Sequence, residues 1–235
     1  MLNIYISTAN QYIHLVQPFS YLFNKFWSSD IKVIILGYDY PKFKLLNNFE
    51  FISMGKQEGG VKSWSTDLKK FFSSINDEYF IYTVEDHFIV DYVNMKVLNH
   101  LLLYTKKDMV GRIGLTTDNK NRSFDIIERL DDYDIIENWQ NTEYRLSLLW
   151  CIWNKNYFLK YLEDNYSPHD YEIIGSQRAL NDGWKIISSY REYAIHQTQA
   201  VRKGNLTAPL NFHYINDPRY LDTNIINEMK IKEII

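Results

Sequence analysis

Apolar residues fall along the first half of the chain in two alternating rhythms. Short runs at Leu2 to Ser7, Ile31 to Leu36, Phe49 to Ser53 and Glu78 to Val84 have the length and the β-branched or aromatic content of buried strands. Between them, Leu15, Phe19, Leu22, Phe23 and Phe26 recur at helical spacing and predict a helix over His14 to Phe26. Leu68, Phe71, Phe72 and Ile75 do the same over Trp64 to Ile75, where Ser65 is the expected cap. A further helix is expected over Asn94 to Tyr104. Gly37 ends the second strand, and Gly59-Gly60 breaks the chain after the third. The resulting β-α-β-β-α-β-α order predicts an α/β sandwich around a mostly parallel sheet.

The second half is less regular. Asp108 to Leu115 and Leu146 to Trp150 read as strands, and Lys155 to Leu162 as a short helix. Thr116 to Asn121 is expected to be an exposed polar turn, and Asp131-Asp132-Tyr133-Asp134 a solvated loop. Ser167 before Pro168 fits a helix cap followed by proline at the first helical position, opening a helix through Leu180. Tyr214 to Ile235 has helical spacing with an apolar face, suited to packing on the domain or meeting a partner or a membrane surface. No repeat or Pro/Gly/Ser-rich linker divides the chain, so residues 1–235 read as one domain with 208–235 as a C-terminal extension.

Composition narrows the functional classes. With 235 residues, one large domain with a sizeable core is expected. The net charge of −3 gives no basic field for a polyanion, which argues against a nucleic-acid partner. A single cysteine, Cys151, excludes an internal disulfide; its apolar surroundings predict a buried, inert thiol. Neither a signal-peptide pattern nor a run of about 20 apolar residues is present, so a cytoplasmic protein is expected.

Candidate chemistry concentrates at one strand tip. Tyr79-Phe80-Ile81-Tyr82-Thr83-Val84 ends abruptly in Glu85-Asp86-His87. A buried strand that delivers acids at its C-terminal end is how open α/β sheets place ligands at their working edge. Carboxylates and imidazole are also suitable ligands for a divalent metal.

Five segments in order then resemble the nucleotide-sugar-dependent glycosyltransferases of the GT-A fold, closest to small bacterial and viral members associated with surface polysaccharide synthesis. They are Ser7-Thr8-Ala9-Asn10-Gln11-Tyr12 after the first strand, Lys62 to Leu68, Glu85-Asp86-His87-Phe88, Ser147 to Lys155, and Pro168-His169-Asp170-Tyr171-Glu172 with Gly175 to Arg178. Arg202-Lys203-Gly204 fits as well, and the likeness spans roughly Ile4 to Leu206. It implies a GT-A-like three-layer α/β/α sandwich.

The resemblance also implies roles. A UDP- or GDP-sugar would be the donor, and a glycan or lipid-linked molecule the acceptor. Ser7, Thr8, Asn10 and Trp64 match the pocket for base and ribose. Asp86 matches the ligand of a divalent ion, Mn²⁺ or Mg²⁺, with Glu85 beside it and His213 as a late metal ligand. The family's second Asp is absent, and adjacent residues of a regular strand point to opposite faces, so Glu85 and Asp86 chelate together only if the tip leaves the pleat. Arg202 and Lys203, with Arg178 or His196, are candidates to stabilise the leaving diphosphate. Glu172, with Asp170 as fallback, matches the base that activates the acceptor hydroxyl.

Other readings remain. The altered Glu85-Asp86-His87 tip fits a catalytically silent domain that binds a nucleotide-sugar or glycan. A nucleotidyltransferase of similar topology lacks its N-terminal Gly-rich phosphate loop here. A Ser or Cys hydrolase lacks a Gly-x-Ser-x-Gly elbow.

Overall fold

The computed structural model describes residues 2–118, 122–202, 205–206 and 222–234. The four expected N-terminal strands form as β1 (Ile4–Ser7), β2 (Val33–Gly37), β3 (Phe49–Ser53) and β4 (Tyr79–Val84). After a short strand β5 (His87–Ile89) come β6 (Val110–Gly114), β7 (Phe124–Arg129), β8 (Asp134–Asn138), β9 (Cys151–Asn154) and β10 (Lys185–Tyr190). Nine of these make one sheet in the order β3-β2-β1-β4-β9-β6-β10-β8-β7. Only β9 and β8 are reversed, so seven of the nine strands point the same way. The mostly parallel sheet expected from the strand–helix alternation is present.

Strand alternation sends side chains to two layers. Ile4, Ile6, Val33, Ile35 and Ile81 pack with α1 (Val16–Phe26) and α3 (Met95–Leu103). Tyr5, Leu36, Phe80 and Tyr82 pack on the opposite face with α2 (Ser63–Ser74) and α4 (Lys155–Lys160). Here Phe72 stacks on Phe80 with ring centroids 4.3 Å apart, one of several aromatic pairs each worth about 0.5–1.5 kcal/mol beyond area burial. The high aromatic content is thus spent on both layers, whose cores each hold many aromatic rings. The result is a three-layer α/β/α sandwich.

The next helical run is α5 (Pro168–Asp170), a π-helical turn Tyr171–Gly175, and α6 (Ser176–Arg178). Ser167 caps it as expected, and Asp170 completes a capping box. β11 (Gln197–Gln199) pairs antiparallel with β5, and β12 (Val201–Arg202) pairs with β13 (Asn205–Leu206). α7 (Thr223–Ile231) lays Ile226 and Met229 into the first layer, where Lys25 meets Glu228 at 3.1 Å. The apolar face of α7 therefore packs on the domain. No helix among the described residues is long and apolar enough to cross a membrane.

Several local expectations fail. The strand expected at Leu146 to Trp150 forms instead at Cys151–Asn154, because pairing with β4 and β6 selects those residues from a longer apolar run. Ser65 lies inside α2, and its hydroxyl accepts the Tyr166 N–H at 2.7 Å instead of capping the helix. Thr116, Thr117 and Asp118, expected in an exposed turn, are buried. The acidic segment divides: Asp131 and Asp132 are exposed, whereas Tyr133 is buried and Asp134 opens β8 beside Arg191.

Candidate functional site

The parallel half of the sheet carries its chemistry at one edge. The chain beyond the C-terminal ends of β1, β2, β3 and β4 surrounds a cleft of about 760 Å³, within the range of small-molecule sites. Ser7, Thr8, Asn10, Trp64, Glu85 and Asp86 all line it, so residues far apart in sequence share one wall. Pro168, Gln199 and Val201 close the other side. At Gly37 a Cβ would lie 2.7 Å from the Phe51 ring and 3.0 Å from Thr8 Cγ2, so only glycine lets β2 reach this edge undisturbed.

The cleft floor is tied together by hydrogen bonds. The Trp64 indole donates to Ser7 Oγ at 3.1 Å, and Ser7 also bonds the Tyr82 hydroxyl. Both residues therefore shape the floor, and Trp64 additionally packs edge-on against Tyr171. Asn10 is similarly occupied: its amide donates to Asp39 Oδ2 at 2.7 Å and its carbonyl accepts the Asp39 N–H at 2.9 Å. Gln57 accepts the Asn10 N–H. This network fastens the loop after β1 to the tip of β2 and positions Thr8 between them.

Glu85 and Asp86 form the turn between β4 and β5, so the strand tip has left the pleat and both residues line the cleft. Their environments differ. Glu85 is buried, and burial, reinforced by the Asp86 charge, holds its carboxyl well above the usual range. Asp86 keeps an open face, with its side chain 16 % exposed. Gln199 donates to Asp86 Oδ2 at 3.3 Å, and the Ala200 N–H donates to the Asp86 carbonyl at 2.7 Å. His87 bonds Thr83 through Nδ1 at 3.0 Å, and burial lowers its pKa.

The acids of the later helix lie elsewhere. Asp170 is held by Ser167, whose backbone N–H and hydroxyl both donate to it, and these bonds lower its pKa. Glu172 accepts the Leu148 N–H at 2.8 Å, and burial raises its pKa. It lines a second cavity of about 420 Å³ instead of the cleft. Arg178 pairs with Glu163 at 2.7 Å on the surface, and His196 lies 3.3 Å from Glu192. Arg202 belongs to β12, one residue beyond the lining residue Val201. Lys203 and His213 lie outside the described residues.

Three contributors escaped sequence reasoning. Asp39 carries the same signal as Glu85, an acid just past a buried strand, and was legible in principle. Gln199 carries none, since its place depends on β11 pairing with a strand more than 100 residues earlier. The buried ion pair Arg112–Asp118, at 2.8 Å, is equally silent; Arg112 also donates to Cys151 Sγ. Burial pushes the Cys151 thiol up to about 12, in keeping with the inert cysteine expected.

No protein-family model matches the sequence, and a search of curated proteins returns no relative. Solved structures do resemble the fold at low identity. Apo UDP-glucose pyrophosphorylase aligns at 12% identity over 85% of this chain and 93% of that one, with a TM-score of 0.44. The mannosyltransferase PcManGT from Pyrobaculum calidifontis, in complex with GDP-Man and Mn²⁺, aligns at 10% over 86% of this chain and 57% of that one, TM-score 0.49. S. aureus TarS aligns at 14% over 82% and 35%, TM-score 0.46.

Proposed function

We propose that the chain, residues 1–235 acting as one domain with 208–235 as its extension, is a glycosyltransferase. It moves a sugar from a UDP- or GDP-linked donor to a glycan or lipid-linked acceptor. The observation that carries this reading is the cleft at the C-terminal edge of the parallel strands, with Asp86 open at its wall. Thr8 and the network around Ser7, Asn10 and Trp64 form the pocket proposed for base and ribose.

Charge supports a cation at this site. Among the described lining residues none is Lys or Arg, so a diphosphate entering alone meets the Asp86 carboxylate with no compensating cation in the lining. Asp86 has an open carboxylate oriented by Gln199, and no group of three or more His, Cys, Asp or Glu gathers among the described residues. Such a small donor set suits Mn²⁺ or Mg²⁺, which take one or two carboxylates and complete their shell with substrate phosphates and water. Bound there, the ion would neutralise charge on the departing diphosphate. Arg202 and Lys203 are proposed to contribute to the same end, and His213 as a further ligand. Glu85, whose pKa burial raises, offers an O–H donor to the bound sugar nucleotide in its protonated form. Glu172 is the proposed base, because burial raises its pKa and makes it a stronger base than a free carboxylate, and Asp170 is committed to the helix cap.

Calorimetric titration with UDP and GDP, each with and without Mn²⁺, tests the reading. Ion-dependent binding is expected, weakened at least 100-fold, about 2.7 kcal/mol, in Asp86→Ala. Absence of binding by both nucleotides would falsify it. That Glu172 opens to a different cavity from Asp86 favours one second reading, a domain that binds a nucleotide-sugar or glycan without transfer. Hydrolysis of a bound UDP- or GDP-sugar in the presence of Mn²⁺ would exclude it.

A further inference from the structure

The cavity beside Glu172 has a lining unlike that of the cleft. It lies between the 139–145 loop and the π-helical turn, and holds amides (Asn141, Gln177), carboxylates (Glu143, Glu172) and the apolar surfaces of Tyr144 and Leu180. Its volume of about 420 Å³ lies within the usual range of small-molecule sites. A sugar presents both donors and acceptors on its hydroxyls, which amides and carboxylates together satisfy, and an apolar ring face that packs on an aromatic side chain.

Tyr144 is built for that packing. It holds a left-handed backbone with φ 52°, rare for a bulky residue and the kind of outlier found at functional sites. Arg122 fixes it, donating to the Tyr144 carbonyl at 2.7 Å while its guanidinium lies 5.5 Å from the ring centroid. The residue is nevertheless 41% exposed. On the opposite wall, one Glu172 oxygen accepts the Leu148 N–H, and the other has no hydrogen-bond partner among the described residues.

We propose that this cavity is a carbohydrate subsite for neutral sugars, with Tyr144 as the stacking platform and Glu172, Asn141 and Gln177 as hydroxyl partners. Among the described lining residues there are two carboxylates and no Lys or Arg, which disfavours anionic sugars. The inference rests on the glycosyltransferase reading only in making the bound sugar the acceptor, and so makes that acceptor a saccharide.

Saturation-transfer NMR on the full chain with maltotriose, chitotriose and trigalacturonate tests it. At least one neutral trisaccharide is expected to receive saturation, and trigalacturonate none. Tyr144→Ala and Gln177→Ala each reduce the signal at least five-fold, while Tyr144→Phe retains it. UDP and GDP titration of Tyr144→Ala reads the cleft separately and is expected to match the unaltered chain. The inference is overturned by no transfer to either neutral probe, by equal signals in both alanine variants, or by equal binding of trigalacturonate. Tyr144-dependent saccharide binding without any nucleotide binding would uphold the subsite and sink the transferase reading instead.

Discussion

The two halves of the sheet handle polar groups in opposite ways. In the parallel half, β3-β2-β1-β4, the strands are apolar and their polar groups collect beyond the C-terminal tips, around an open cleft. In the mixed half, charge is taken inside. Arg112 and Asp118 pair at 0% and 2% side-chain exposure, and Arg145 reaches Asp182 at 3.1 Å with similarly low exposure. Parallel strands have their crossover helices on both faces, so their free ends are the natural place for ligands. Reversed strands bring loops back across the sheet, and here buried ion pairs pin those loops. Polar residues at the parallel tips are therefore suited to binding, and the buried ion pairs of the mixed half to holding the fold.

That division can be broken by substitution. The largest effect is expected at Arg112→Met, which leaves the buried Asp118 with only the more distant Arg122, 3.6 Å away, as ion partner and should cost about 3–5 kcal/mol in denaturant unfolding. Adding Asp118→Leu should recover much of it, since replacing both partners removes the uncompensated charge. By contrast, Asp86→Ala, which should abolish ion-dependent nucleotide binding, is expected to leave the unfolding midpoint nearly unchanged. Equal destabilisation by Arg112→Met and Asp86→Ala would erase the distinction.

A smaller effect sharpens the boundary between the halves. Ser167→Ala removes the capping box that starts the run to Glu172, at an expected cost of about 1 kcal/mol in thermal or chemical unfolding. An unchanged stability would mean that the box is not what fixes this turn.

The smallest effect concerns Glu85 and has a definite pH sign. Its folded pKa is raised above the ordinary 4.5, so the folded state retains a proton that the unfolded state has lost. The group therefore favours folding fully below pH 4.5, and that contribution disappears as pH rises towards the folded pKa. Glu85→Gln should match the parent near pH 4 and melt at a higher temperature at pH 8. Asp118 runs the other way: burial would raise its pKa, but Arg112 and Arg122 hold it below 3.8. Its contribution is present above that pH and is lost as pH falls through the folded value. A melting-temperature difference for Glu85→Gln that did not change with pH would contradict the assigned shift.

Legibility followed the same division. The four parallel strands and three main helices of the first half could be read because each is a local apolar pattern with its own period. Glu85 and Asp86 stood out because acids end a buried run. In the second half β9 could not be placed within Leu148 to Asn154, and β7, β8 and β11 carry no local signal strong enough to separate strand from loop. Thr116 to Asp118 reads as solvated because charge ordinarily is, and Arg112 arriving from β6, with Arg122, makes its burial tolerable.

The sequence alone determined the alternating α/β order, the apolar faces of the helices, the cap at Ser167 and the acids at the tip of β4. These depend on neighbours within a few residues, where spacing and propensity act directly. Tertiary structure decided that Gln199 holds Asp86, that Glu172 faces a cavity beside Tyr144, and that Asp118 is buried. Each requires a partner distant in the chain, and sheet pairing and close packing, which no local pattern encodes, bring those partners together.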